Sequence, residues 1–279
     1  MRDLRLSLGT LIGLAIWLAG CGGNPTVQSE RFTAALSGAE AAAVTLDFPF
    51  QAVTVGALDP TAADLIQADV GYVGSIDFNV SGGADRTVRL IETVGGGFNW
   101  TGQPPRWDVL LHPAVPLEFN VGMTTGALTA DLAGVTLREL DLNMAGGTVV
   151  LDLPGTPTTL ITQTDSGALT INLPAGAQIT AGRLALRGGT LRLNVAGAAD
   201  FAIVVEVEAG DAVLTLNDAP VEIRVMAAGS SAVTIRDDYT RTEPGTDTNA
   251  SSWTASNFAD AAPRGTISVN LEAGSLRVE

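Results

Sequence analysis

GALTADL at residues 126–132 is followed by GTVVLDL at 147–153, GALTINL at 167–173 and GTLRLNV at 189–195, with a looser copy, LTLND, at 214–218. The aligned polar residues are Asp131, Asp152, Asn172, Asn194 and Asn217, at intervals of 21, 20, 22 and 23. A repeat near 20 residues is the mark of a solenoid in which each repeat is one coil. Within GALTINL, Leu169, Ile171 and Leu173 alternate with Thr170 and Asn172, so each copy reads as a strand with one apolar face. A second strand precedes each copy: LRELDLNM from Leu137, ADFAIVVEVEA from Ala199 and APVEIRVMA from Ala219. Two strands of about six residues with two turns account for ~20 residues per coil. The spacing therefore predicts an all-β chain, a β-solenoid with about 20 residues per coil. An antiparallel sandwich would also alternate but gives no reason for a fixed register. Leu140, Leu151, Leu160, Ile171, Leu193, Ile203 and Ile223 are expected to point inward.

Working outward, residues 34–58 already show the pattern, and 66–80 and 87–91 are read as continuing it. VGGGFNWTGQPPR at 94–106 breaks it with a run of three glycines and two prolines and is expected to be a loop. A polar stretch at 237–264 is a second loop, about twenty residues longer than the other inter-strand spans. The last strands, near Ile267 and Leu276, are expected to form the terminal coil, with the 237–264 insert folding over it.

The N-terminus is a targeting segment. Arg2 and Arg5 precede an apolar run from Leu6 to Leu18, too short to span a bilayer comfortably, and Leu18-Ala19-Gly20-Cys21 has the form of a bacterial lipobox. The expected organisation is a signal peptide at 1–20, acylated Cys21 with a tether at 21–33, and one solenoid domain at 34–279. A lipid on Cys21 would hold the chain to a membrane outside the cytoplasm without a spanning helix.

The run at 107–121, W-x-V-x-L-x-P-x-V-P-L-x-F-x-V, with GALTADLAGVTLRELDLNMAGGTVVLDLP after it, resembles bacterial toast-rack domains. These are grouped with cell-wall-active antibiotic-response proteins and adhesin-like relatives. The resemblance covers residues 34–279 and implies a single-stranded right-handed β-helix outside the cytoplasm. It brings no catalytic residues and no cofactor. A lipid anchor here stands where other members carry transmembrane helices.

Composition narrows the function. The chain has 279 residues, is 46% hydrophobic and carries 32 Gly but only 8 Phe, which suits thin coils. A net charge of −15 argues against nucleic acid and against electrostatic docking on anionic lipid. One His and one Cys leave no disulfide framework and no Cys/His metal cluster. His112 and Asp108 share a face if the strand continues, but neither has a nucleophile to activate. The Asp131–Asn217 row reads as a solvated ladder in which Asn in place of Asp relieves repulsion. Arg183, Arg187 and Arg192 are the one cationic group, without obvious acids. Tyr239, Trp253 and Phe258 with Asp237 and Asp238 form a candidate binding loop on a rigid scaffold. The expectation is a non-catalytic, adhesin-like or scaffolding surface module that takes an envelope polysaccharide or protein partner. The alternatives are a polysaccharide-active β-helix enzyme and an envelope-stress signalling component.

Overall fold

The computed structural model describes residues 26–95, 103–229, 231–242 and 250–279. The first third gives β1 (Gln28–Ala35), β2 (Ala41–Phe48), β3 (Ala52–Ala57), β4 (Asp64–Tyr72), β5 (Ser75–Gly82), β6 (Asp85–Thr93) and β7 (Arg106–Leu111). The repeats supply paired strands: β8 (Leu117–Met123) with β9 (Ala127–Asp131), β10 (Leu137–Met144) with β11 (Thr148–Asp152), and β12 (Thr158–Thr164) with β13 (Ala168–Leu173). Then come β14 (Gln178–Leu186) with β15 (Thr190–Val195), and β16 (Asp200–Val207) with β17 (Asp211–Thr215). The last part adds β18 (Val221–Ala227), β19 (Ala232–Thr234), β20 (Tyr239–Thr242), β21 (Ala250–Ala255), β22 (Gly265–Leu271) and β23 (Ser275–Val278).

These strands make two long sheets. Sheet A runs β1-β4-β7-β3-β9-β11-β13-β15-β17-β23-β19, and sheet B runs β20-β21-β18-β22-β16-β14-β12-β10-β8-β2-β6-β5. From β7 to β19 and from β6 to β18 every ladder is parallel. Alternation puts one residue in two between the sheets, and all seven predicted inward residues are at most 2% exposed.

One corner of the stack is a column of glycines. Gly126, Gly147, Gly167, Gly189, Gly210 and Gly274 all have positive φ. Each carbonyl accepts a bond from the next layer, as in Ala168 N–H to Gly147 O at 2.9 Å and Ser275 N–H to Gly210 O at 2.9 Å. A Cβ on Gly167 would run into the backbone of Gly147, so the corner needs Gly for closeness as well as for φ. Gln51 occupies the same column one layer before Gly126, since Ala127 N–H donates to its carbonyl at 3.0 Å.

The order of layers departs from the sequence in two places. β2 and β3 lie between β6/β7 and β8/β9, so the first coil of the chain is the second in space. β22 and β23 lie between β16/β17 and β18/β19, so the last coil is not terminal. Strand alternation fixes which face a residue takes but not which strand is its neighbour. Residues 66–80 do not continue the solenoid: β4 runs antiparallel to β7, and β5 antiparallel to β6. The tether expected at 21–33 already contains most of β1, and the loop expected at 237–264 contains β20 and β21. Residues 96–102, with Phe98 and Trp100, lie outside the described residues, as does Cys21.

Candidate functional site

The polar row is a hydrogen-bonded ladder on the outside of sheet A. Asp131 is in register with Asp152, Asp152 with Asn172, and Asn172 with Asn194. The Asn172 amide donates to Asp152 Oδ1 at 2.6 Å, and the Asn194 amide donates to Asn172 Oδ1 at 2.7 Å. The fifth member is Thr215, not Asn217, because Asn194 pairs with Thr215. The repeat at 210–216 therefore places Thr215 two residues before the Asn217 that the looser copy predicts. Its true continuation is GSLRV at 274–278, whose Leu276 is in register with Ala212. Along this ladder each amide bonds its neighbour, so the row extends the sheet's order outward, with Asp131 and Asp152 as its two adjacent acids.

The candidate loop residues gather at the C-terminal end of sheet B. β21 pairs antiparallel with β18, setting Trp253 opposite Ile223, and β20 pairs with β21, setting Tyr239 opposite Ala255. Tyr239 is 7% exposed, and Trp253 packs half-buried against the core. Every ring already carries a guanidinium: Arg236 over Tyr239 at 5.7 Å, Arg241 over Trp253 at 5.8 Å and Arg264 over Phe258 at 5.3 Å. Asp238 is paired with Arg236 at 2.5–2.6 Å, which holds its carboxyl below the usual range, while Asp237 is exposed. Burial pushes the Tyr239 hydroxyl up to about 12. These contacts make a hairpin cover over the edge of β18.

His112 and Asp108 are not a dyad. Asp108 lies on the outer face of β7, where the Thr54 hydroxyl donates to it and Arg106 pairs with it at 2.9 Å. His112 follows the strand into a turn and is 5% exposed, with Nδ1 accepting from Ala114 N–H at 3.3 Å. The arginine cluster divides as well. Arg183 pairs with Glu206 at 2.8 Å and Arg187 with Asp165 at 3.0 Å, both acids coming from neighbouring layers. Arg192 belongs to the other sheet. Those acids stand 23 and 22 residues away and become neighbours only through stacking. Among the described residues no three His, Cys, Asp or Glu are grouped to hold a metal ion.

One buried polar group has no precedent in the sequence reading. Glu92 is 5% exposed, and its Oε1 accepts from Val73 N–H at 3.0 Å and Gly74 N–H at 3.3 Å. Fully buried Gln51 donates to Oε2 through its amide and accepts from Phe50 N–H at 3.0 Å. Desolvation raises the Glu92 carboxyl above its ordinary value, and these three donors pull it back only in part. The cluster ties the β4–β5 turn to a corner position in the column that is not glycine. The available signal was the missing Gly at residue 51.

The sequence matches the family described as the N-terminal domain of toast_rack, DUF2154, over residues 23–172. The chain belongs to the toast_rack family. Two solved structures are similar to it. A candidate cell adhesion protein from Clostridium sporogenes is 15% identical, with a TM-score of 0.46 over 91% of this chain and 99% of that one. A candidate adhesin from Bacteroides fragilis is 10% identical, with a TM-score of 0.40 over 92% of this chain and 100% of that one. No curated protein matches the sequence. The matched region ends within β13, and the toast_rack parallel stack continues beyond it through β15, β17, β23 and β19.

Proposed function

We propose that this toast_rack chain is a non-catalytic surface module of the bacterial envelope, anchored by a lipid on Cys21 and displaying a right-handed solenoid of about 20 residues per coil. The observation that carries this is the junction between address and fold. β1 starts at Gln28, seven residues after Cys21, so the first strand of the fold begins within about 25 Å of the anchor at ~3.5 Å per residue. The outer faces support a display role: the ladder amides bond their neighbours, and Arg183 and Arg187 are paired with acids. A polysaccharide or protein partner would therefore meet a stiff surface whose ladder amides and paired charges already satisfy one another. Cys21→Ser tests the anchor. Labelling with a radioactive fatty acid and fractionating the cells should show loss of label and loss of the variant from the membrane fraction. Retention of both at wild-type level would remove the lipid anchor from this account. New reducing ends after incubation with envelope polysaccharides would replace the display role with an enzymatic one.

A further inference from the structure

The N-terminal end of the stack finishes in two long free edges. Among the described residues β1 closes sheet A and β5 closes sheet B, each eight residues long and each paired on one side only. At the other end the edge strands are β19, of three residues, and β20, of four. Proteins usually shorten or cover edges because unpaired N–H and C=O groups recruit another strand. Here one end follows that rule and the other does not.

We propose that the N-terminal end is the interface of a twofold dimer of this chain, in which β1 pairs antiparallel with β1 of a second copy and β5 with its own counterpart. Antiparallel partners must point to the same side of the sheet, which restricts the register to residues of equal parity. On β5, pairing about Phe78 sets Ile76 against Val80 of the second copy and Asp77 against Asn79. A shift of two residues in one direction would instead oppose Asp77 to Asp77. On β1, pairing about Phe32 sets Arg31 against Thr33 and Glu30 against Ala34, whereas pairing about Arg31 would oppose like charges. The two favoured axes are one axis, because the Phe32 and Phe78 rings meet between the sheets with centroids 5.1 Å apart. A single twofold perpendicular to both sheets therefore extends both at once, and an isologous interface needs that self-complementarity.

The charges inside the end support the same arrangement. Glu30 is in register with Val70, on the inner face, and Arg86 is in register with Ala42, also on the inner face. Among the described residues Glu30 accepts from the Tyr72 hydroxyl at 3.3 Å. Arg86 donates to Ala35 O at 3.2 Å and leaves its buried Nε without a partner. An inward charge on an edge ordinarily discourages pairing. In the dimer, however, Glu30 lies opposite Ala34 of the second copy, beside the Ala35 carbonyl that Arg86 holds. Each inward charge thereby meets its opposite.

The test uses the full chain, purified in detergent, with protein mass measured by density-matched sedimentation over a range of concentrations. Within one chain Asn79 faces Arg89, so Asn79→Asp favours the fold and Asn79→Lys disfavours it. Across the dimer the signs reverse, because residue 79 faces Asp77. Asn79→Asp should weaken dimerisation about tenfold, with two like-charge pairs facing one another, and Asn79→Lys should strengthen it. Thr33→Cys should give a covalent dimer with a short bismaleimide, its mate lying on a diagonal ~7–8 Å away. Thr240→Cys, at the opposite end, should not. A monomer at every concentration, a shift of both Asn79 variants in one direction, or crosslinking through Thr240→Cys alone would overturn the proposal. Dimerisation is read whether or not Cys21 carries lipid, so failure here is distinct from failure of the anchor.

Discussion

The two ends of the stack are built by one device and finished differently. At the N-terminal end the chain lays down β2 and β3, leaves to build β4 through β7 outside them, and returns with β8 on their other side. At the C-terminal end it passes from β17 to build β18 through β21 and returns to fill the layer it had skipped with β22 and β23. Each end is thus locked by a layer that is remote in sequence from both its neighbours, which themselves follow one another along the chain. A simple repeat stack contacts only sequence neighbours and frays one repeat at a time. Here a sequence-terminal coil is held on both sides, so stability at the ends depends on long-range closure. The finishing differs: two eight-residue edges with half-buried Phe32 and Phe78 at one end, a short hairpin with Arg-covered rings at the other.

The largest effect should come from removing the returning layer. Deletion of residues 265–279 would take one outer coil from a simple solenoid. In this chain it also strips β16 and β17 on one side and β18 and β19 on the other of their partners. Hydrogen exchange should show protection lost at Ile223 and Val225 as well as at the deleted strands, so that the whole 221–264 excursion comes free. Protection retained in β18 would mean that the C-terminal end is not closed by β22.

A point change at the same layer sharpens the comparison. Gly274 has φ 107°, and an added Cβ would collide with the Gly210 backbone. Gly274→Ala should cost about 2–4 kcal/mol from strain and displaced packing. Gly83→Ala, at a site with nothing within 4 Å of the added carbon, should be nearly neutral. Equal urea midpoints for the two variants would remove the glycine column from the account of how layers lock.

The sequence was legible where a property depends on one strand at a time. Ile171 and Leu193 are buried because alternation decides a face locally, and the Asp152–Asn172–Asn194 ladder follows from the repeat interval. Layer order was not legible, because β2 carries the same apolar alternation whichever strand lies beside it. GSLRV at 274–278 was the available clue to the returning layer, its Gly being the next in the column. The pairing of Arg183 with Glu206 and the burial of Glu92 depend on stacking between distant segments, which neither motif nor composition reveals. In the 237–264 stretch, the guanidinium over each ring comes from residues that carried no signal of their own.

The smallest expected effect separates the ends by pH. Burial lifts the Glu92 carboxyl at the N-terminal end, whereas Asp238 at the C-terminal end is lowered by its bond to Arg236. Between the ordinary Glu value of about 4.3 and its raised value, the folded chain keeps a proton that the unfolded chain has lost. Protons bound in the folded state then exceed those in the unfolded state, so this group's contribution to stability falls as pH rises through that window. Asp238 and Asp69 act oppositely, their contributions being lost as pH drops below the ordinary Asp range. Glu92→Gln keeps an oxygen for the N–H groups of Val73 and Gly74 but sets an amide against the Gln51 amide, at a cost of about 1 kcal/mol. Urea midpoints compared from pH 4 to pH 7 should therefore show a lower but flatter profile for the variant. If the slope matches wild type, Glu92 does not titrate in the window, and the N-terminal end owes its pH response to the exposed carboxylates alone.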